Sequence, residues 1–290
     1  MRRAFLSLLL ALALLGAGGP RAEAQPPLWV VRAPGVTIYL FGSVHLLPAG
    51  LDWRPPALDA ALGEARELWF EVPITAESDN AAAADTERRG QLRSGVALSS
   101  LMPPEEVERL HRVADSLHLL PAALDRMQPW RAEVTLSLAA DAQNGADSSN
   151  GVEEQIQAVA AATAKRRAFE TARQQVGFLA GAPLDAQLAS LVYTLHEIED
   201  DPDTYRRVVD EWMKADVAGL ELDVLTPLRR ASPVVYDRLI VQRNRRWAKQ
   251  IRSWLRHPGV VVAVVGAGHL IGPDGVPALL RADGVQVEGP

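Results

Sequence analysis

The sequence predicts an α/β protein: a central mixed or mostly parallel sheet formed by the N- and C-terminal segments, with a large helical insertion between them. Three observations carry that expectation. Val36-Thr37-Ile38-Tyr39-Leu40-Phe41 and Val260-Val261-Val262-Ala263-Val264-Val265 are short, apolar and β-branched, the pattern of strands covered on both faces. From Ser99 to about His257, between them, apolar residues recur at helical spacing. Each strand-like run then leads into Gly-x-x-His, as Gly42-Ser43-Val44-His45 and Gly266-Ala267-Gly268-His269. Each histidine is followed by Leu and then, within a few residues, by Pro48 or Pro273. Ligands in such sheets sit beyond the carboxyl ends of the strands, where both histidines fall.

Taken in order, Leu28–Val31 reads as a first strand and Ala33-Pro34-Gly35 as the turn of a hairpin. Leu46–Pro56 is a Pro-rich loop. Ala57–Arg66 is a helix with Leu58, Ala61, Leu62 and Ala65 on one face. Glu67–Val72 is the next strand, halted by Pro73, which completes a βαβ unit and puts Glu71 at the tip of a strand neighbouring that of His45. Residues 74–98 are polar and read as a mobile surface insertion.

In the helical middle, Pro103-Pro104-Glu105-Glu106 opens a helix with Val107, Leu110, Val113 and Leu117 on one face. Helices follow over Pro121–Met127, Arg131–Ala142, Val152–Ala164, Asp185–Glu199 and Thr204–Ala215. Arg166–Glu170 fits either a strand or the start of a helix. Pro233–Leu255 reads as one long helix carrying Leu239, Arg243, Trp247 and Ile251 on one side. Asp274 is the expected cap of a last short helix, and Gly284 ends it. The simplest assembly joins the two terminal β segments in one sheet and sets His45 beside His269.

Composition narrows the function classes. Of 290 residues, 48% are hydrophobic and 23% charged, an ordinary soluble balance. Arg2-Arg3, the apolar run Ala4–Ala17 and Ala22-Glu23-Ala24 form a signal peptide over residues 1–24, with cleavage before Gln25. The expectation is therefore an exported protein, periplasmic or secreted, with a single domain over residues 25–290 and no stable membrane insertion. The mature chain then holds 27 basic and 35 acidic residues, a net −8, and shows no basic tract, which excludes nucleic acid as the expected partner. There are no cysteines, so a thiol nucleophile or thiolate metal site is excluded and any metal is held by nitrogen and oxygen.

His45 and His269, with the carboxylate of Glu71, form a two-His, one-carboxylate set that suits a divalent ion with open positions. Gly42 and Gly266 allow a tight strand exit and close backbone approach. Arg243, on an apolar stripe, needs an anion unless its head reaches water. Glu153 and Glu170 read, taken alone, as surface charges, and His196-Glu197 as a solvated helix face. Gly266–Gly272 is not a dinucleotide fingerprint, because its third glycine comes one place late. Ser43 has no nucleophile elbow around it, and no Gly-x-Ser-x-Gly or phosphate-loop sequence occurs.

With its paired Gly-x-x-His motifs, Leu-Trp-Phe-Glu strand, Gly-Val-Glu segment, Arg-Asn-x-x-Trp helix and closing Gly-Ala-Gly-His-Leu-x-Gly-Pro-Asp-Gly, the chain resembles the TraB/GumN family, which includes the TIKI proteases. The resemblance covers the whole mature chain. It implies an α/β fold similar to erythromycin esterase and to the haem-binding ChaN proteins; TIKI relatives are divalent-metal-dependent proteases. At Glu170-Thr171 the chain departs from the usual Leu-Glu-Thr, having Phe169 in front.

The resulting expectation is a metal-dependent hydrolase acting on a peptide or small molecule. His45 and His269, helped by Glu71 or Glu170, would hold Mn, Co, Fe or Zn; the carboxylate not occupied as a ligand would serve as general base, and Arg243 would steady an oxyanion or a substrate carboxylate. Gly42, Ser43, Gly266, Gly268 and Asn244 are the expected substrate-contacting positions. The alternative is a non-catalytic envelope protein binding haem, metal or another ligand in the same pocket, and a third is a scaffold with an inert pocket.

Overall fold

Strands form where apolar residues alternate or saturate. The computed structural model describes residues 25–290; the expected signal segment lies outside the described residues. β1 (Leu28–Ala33) and β2 (Val36–Ser43) make the expected hairpin, with Gly35 at φ 76° in its turn. In β2, Val36, Ile38 and Leu40 alternate into the core before Phe41, Gly42 and Ser43 are all buried. α1 (Pro56–Glu64) has Pro in its first turn and buries Leu58, Ala61 and Leu62. β3 (Ala65–Phe70) follows directly.

α2 (Ala76–Arg89) occupies the stretch expected to be a mobile insertion. Thr75 caps it by accepting from the Ser78 N–H, and charge suits its ends: Glu77 and Asp79 in the first turn, Arg88 and Arg89 in the last. Only Asp85 on it is buried, so the helix carries no apolar stripe to announce itself. Then come α3 (Pro104–Ser116), α4 (Pro121–Leu124), α5 (Pro129–Gln143) and α6 (Val152–Val159). β4 (Lys165–Ala168) resolves the ambiguous segment as a strand, so the middle of the chain is not wholly helical and supplies a sheet edge. A Thr171/Gln174 capping box starts α7 (Ala172–Ala180), followed by α8 (Leu184–Asp200), α9 (Thr204–Met213), α10 (Val217–Leu220), α11 (Thr226–Ala231), α12 (Pro233–Tyr236) and α13 (Gln242–Trp254).

Single π turns span Glu221–Leu225 and Asp237–Val241. The second lies between α12 and α13 in an unbroken run of helical backbone, so the expected single helix over Pro233–Leu255 is present with a π bulge at Asp237–Val241, a feature frequent at functional sites. β5 (Gly259–Gly266), α14 (Val276–Ala282) and β6 (Val287–Glu288) close the chain. Gly275, not Asp274, is the N-cap residue of α14. The Asp274 carboxylate instead accepts from the Tyr236 hydroxyl at 3.0 Å. Gly284, at φ 79°, ends the helix as expected.

The six strands run in the order β4-β3-β5-β2-β1-β6, with β4, β3, β5 and β2 mutually parallel and β1 antiparallel to both its neighbours. The two ends of the chain do meet, since β2 and β5 pair along their length. β5 also inserts between β2 and β3, so the Glu71 strand neighbours that of His269 rather than that of His45. Its unbroken apolar run explains the place: Val261–Val265 are all buried, as befits a strand covered on both faces. One core packs about the sheet, with Ile38, Phe41, Leu68, Phe70, Trp212 and Trp247 among its members. A second joins α3, α5 and α8 through Leu110, Val113, Leu136, Leu191 and Leu195. Among the described residues no single helix is long and apolar enough to cross a membrane.

Candidate active site

The parallel register brings three strand ends level. Ser43 pairs with Gly266, and Phe70 with Val264, so Glu71 emerges beside the end of β5. The Gly266 N–H donates to Glu71 Oε1 at 2.8 Å. A Cβ on Gly266 would lie 3.1 Å from Glu71 Oε1, 3.6 Å from His45 Nε2 and 3.8 Å from His269 Cδ2. Three residues singled out from sequence therefore surround one glycine, whose missing side chain leaves the room between them.

His269 ends the one-turn 3-10 helix Ala267–His269 that follows β5, and it is buried. Its Nδ1 lies 2.6 Å from Asn244 Oδ1, while the Asn244 amide donates to the Asp274 carbonyl at 2.8 Å. That second bond turns the Asn244 oxygen toward the ring, so Nδ1 carries the proton and Nε2 the lone pair. Nε2 faces Arg243 Nη1 at 2.9 Å and Glu71 Oε1 at 3.7 Å. Burial, with repulsion from Arg243 and His45, outweighs the pull of Glu71 and lowers the imidazole pKa to about 3. The ring is neutral at physiological pH.

Arg243 finds the anions its position demanded. Its Nε donates to both oxygens of Glu170 at 3.1 and 3.0 Å, and its Nη2 reaches Glu71 Oε2 at 2.6 Å and Glu170 Oε2 at 2.9 Å. All three side chains are buried. Trp247 Nε1 donates to Glu170 at 3.2 Å and its ring lies under the guanidinium, 4.8 Å from centroid to Arg243 Cζ. Glu170, expected on its own to be a surface charge, is 6% exposed. Phe169, the departure from the family pattern, stacks on Trp247 at 4.8 Å and closes the far side. Burial opposes the charge on Glu71, but His269, Arg243 and His45 lie around it and the Gly266 N–H donates to it; the carboxyl stays well below its usual range. Gln175 adds a donor to its Oε2 at 3.0 Å.

His45 stands on the open side. Its side chain is 61% exposed, facing a cavity of about 730 Å³. Glu153, in the first turn of α6, holds the ring Nδ1 at 2.8 Å and accepts from Ser43 Oγ at 2.5 Å through the same oxygen. The negative charge of Glu153 raises the His45 pKa to about 9, so the ring is protonated at neutral pH and an ion taking its Nε2 would displace that proton. Glu153 is the residue the sequence reading missed. The signal for it was Gly151: a Cβ there would collide with the His45 carbonyl, and the Val152 N–H donates to Val44 O at 3.2 Å. The start of α6 is thus pressed onto the exit of β2, and its first acid meets the histidine.

The remaining positions lie behind this front. Gly42 packs on Ala267, where a Cβ would approach to 3.2 Å, and its carbonyl accepts from Trp212 Nε1 at 2.7 Å. Ser43 and Asn244 are buried. At Gly268 a Cβ would come within 3.3 Å of Leu225. The structure gives Asn244 a contact to His269, and Ser43 one to Glu153, instead of an open face.

The donor chemistry suits a divalent ion. His269 turns Nε2 toward Glu71 and His45 brings its Nε2 to the same glycine, and each ring has its Nδ1 tied to an outer oxygen, Asn244 or Glu153, as in metal-ligating histidines. Among the described residues no three His, Asp or Glu side chains already stand together at ligating distance. Arg243 Nη1 lies along the lone pair of His269 Nε2, so an ion taken by that ring replaces this contact.

The sequence profile of the TraB/PrgY/gumN family matches residues 27–289. The chain belongs to this family. It is 24% identical over 244 residues to the uncharacterized protein YbaP of Escherichia coli (strain K12), covering 84% of this chain and 87% of that protein. The uncharacterized protein YbaP of Shigella flexneri matches to the same extent. No solved structure matches the chain. The family span takes in both Gly-x-x-His motifs, Glu71, Glu153, Glu170 and Arg243, so the whole site lies within the TraB/PrgY/gumN match.

Proposed function

We propose that this TraB/PrgY/gumN protein is an exported, divalent-metal-dependent hydrolase that acts on peptides. The observation supporting it is the convergence of His45 Nε2, Glu71 Oε1 and His269 around the bare Cα of Gly266. His45, His269 and Glu71 are the residues that would hold the ion. When bound, such an ion supplies Lewis acidity to a scissile carbonyl and acidifies a water. Asn244 and Glu153 keep the two rings in the tautomer and orientation that present Nε2. Glu71, held ionised by Arg243 and the Gly266 N–H well below the usual carboxylate range, is suited to a ligand's role rather than a base's. Arg243 ties Glu71 to Glu170 and limits the movement of both, and it is too deeply buried to reach substrate unless it leaves His269. The exposed ring of His45 makes the cavity beside it the place where a substrate enters.

A second reading rests on the contact between Arg243 and His269. If that imidazole stays committed to the protein, the cavity serves a non-catalytic ligand-binding protein through His45 alone.

The test is elemental analysis of mature protein purified without chelator or His tag, followed by peptide-library turnover with Mn, Co, Fe or Zn. The expected outcome is about one equivalent of metal and metal-dependent cleavage, both lost in His45→Ala and His269→Ala. Cleavage that survives both substitutions removes the hydrolase; retained ligand without cleavage favours the second reading.

A further inference from the structure

The cavity beside His45 is large enough for a long side chain, and its charges are unbalanced. At about 730 Å³ it is of the size that takes small ligands, and it runs between α5, α8 and α9. Apolar walls come from Val44, Leu46, Val208 and Leu228. Five acids line it besides Glu199, and they fall into two groups. Asp201 and Asp223 are both taken by Arg207, at 2.8 and 2.9 Å, and Glu199 is held by Arg112 at 2.7 Å. Glu133 and Asp141, two turns apart on α5, and Glu197 on α8 have no cation paired with them among the described residues.

Glu133 is the most telling of the three. Its Oε1 accepts from the hydroxyls of Ser190 at 2.7 Å and Thr194 at 3.3 Å, which hold the carboxyl in one pose. Among the described residues its Oε2 has no partner, and the side chain lines the cavity. Glu133 is half-buried, so that second oxygen stands open to the cavity, where a donor arriving from outside can reach it while the two hydroxyls fix the first. Burial pushes Glu133 up to about 7; burial, with Asp141 and Asp201 nearby, does the same to Glu197, and burial alone takes Asp141 to about 6. Burial tilts all three toward the neutral form, and a cation entering the cavity would return them to the ionised one.

We infer that this cavity receives a basic side chain, the ammonium of lysine or the guanidinium of arginine, from a peptide whose backbone passes His45. The apolar walls would cover the methylene stem while Glu133, Asp141 and Glu197 meet the charged head. The position of that residue next to a scissile bond rests on the hydrolase reading; the binding itself does not.

Isothermal titration calorimetry on the mature protein, without added metal, tests it. The probes are acetyl-Gly-Lys-Gly-amide, its Arg, norleucine and Glu counterparts, and spermidine as a free amine. The Lys and Arg peptides are expected to bind at least about tenfold tighter than the norleucine peptide, as one charge-assisted contact implies. Glu133→Gln and Glu197→Gln, which keep shape and remove charge, should each cut that preference to about threefold or less. Equal binding of the Lys and norleucine peptides, or a preference unchanged in both variants, overturns the inference. Spermidine binding more tightly than either basic peptide overturns the peptide as the source of the cation. A basic preference in a protein that hydrolyses nothing sinks the hydrolase and leaves the cavity assignment standing, and metal-dependent cleavage without that preference does the reverse.

Discussion

Arg243 holds the site together, because it is one cation shared by two buried carboxylates. Glu71 and Glu170 come from the ends of different strands, and without the guanidinium Glu71 would face a desolvated like charge while Glu170 kept only the Arg246 cation, at 3.6 Å. Removing one member of a buried ion pair is far more costly than the pair is worth, since the partner is left charged and dry. Arg243→Met is therefore expected to lower stability by about 3–5 kcal/mol in urea denaturation. A loss under about 1 kcal/mol would mean that the carboxylates find water or protons instead. The need for an anion could be read from the apolar stripe on which Arg243 sits; which anions met it could not, since they lie 172 and 73 residues away.

At the scale of elements, the facing of α5 and α8 sets a pH dependence. In the unfolded chain a glutamate releases its proton near 4.5, while folded Glu133 keeps it to about 7, because burial disfavours the charge. Between those values the folded state binds more protons, so stability falls as pH rises through the window. Ser190 and Thr194 face Glu133 and oppose the shift, and Asp141, Glu197, Tyr193 and Arg112 share its cavity. Glu133→Gln lacks the proton. It should match wild type near pH 4.5 and exceed it at pH 8 by about 1–3 kcal/mol, read as the difference between two urea titrations at each pH. Taking the difference cancels Glu71, whose lowered pKa acts in the opposite sense: its stabilisation is present at neutral pH and lost in acid. A constant difference from pH 4.5 to 8 would show that Glu133 ionises freely. The same facing turned Glu197 from an expected solvated charge into a cavity wall. Periodicity on one helix says which residues share a face, never what that face meets.

For the whole molecule, the order of strands explains where rigidity lies. β5 is bonded on both edges and buried along Val261–Val265, whereas α2 buries a single residue. Amide exchange should therefore release α2 by local opening, while Val262–Val264 exchange only with global unfolding. Protection of α2 equal to that of β5 would contradict this. Because His269 hangs from the end of β5 and Glu71 accepts from its Gly266 N–H, the site is anchored to the most protected strand. His45, at the cavity edge, and Glu153 behind it hang from one flank of it.

The sequence by itself determined the local chemistry. The apolar runs marked β2 and β5, the paired Gly-x-x-His motifs marked both imidazoles, and the absence of cysteine restricted any donors to nitrogen and oxygen. It also determined that the two ends of the chain share a sheet, because two doubly buried strands have few other places to go. Tertiary structure alone decided the order β3-β5-β2, the pairing of Arg243 with Glu71 and Glu170, the reach of Glu153 to His45 and the cavity with its three unpaired acids. Those are contacts across long separations, and in the sequence a carboxylate looks the same whether it will meet water, an arginine or a histidine. Only the closing of the sheet chooses among them.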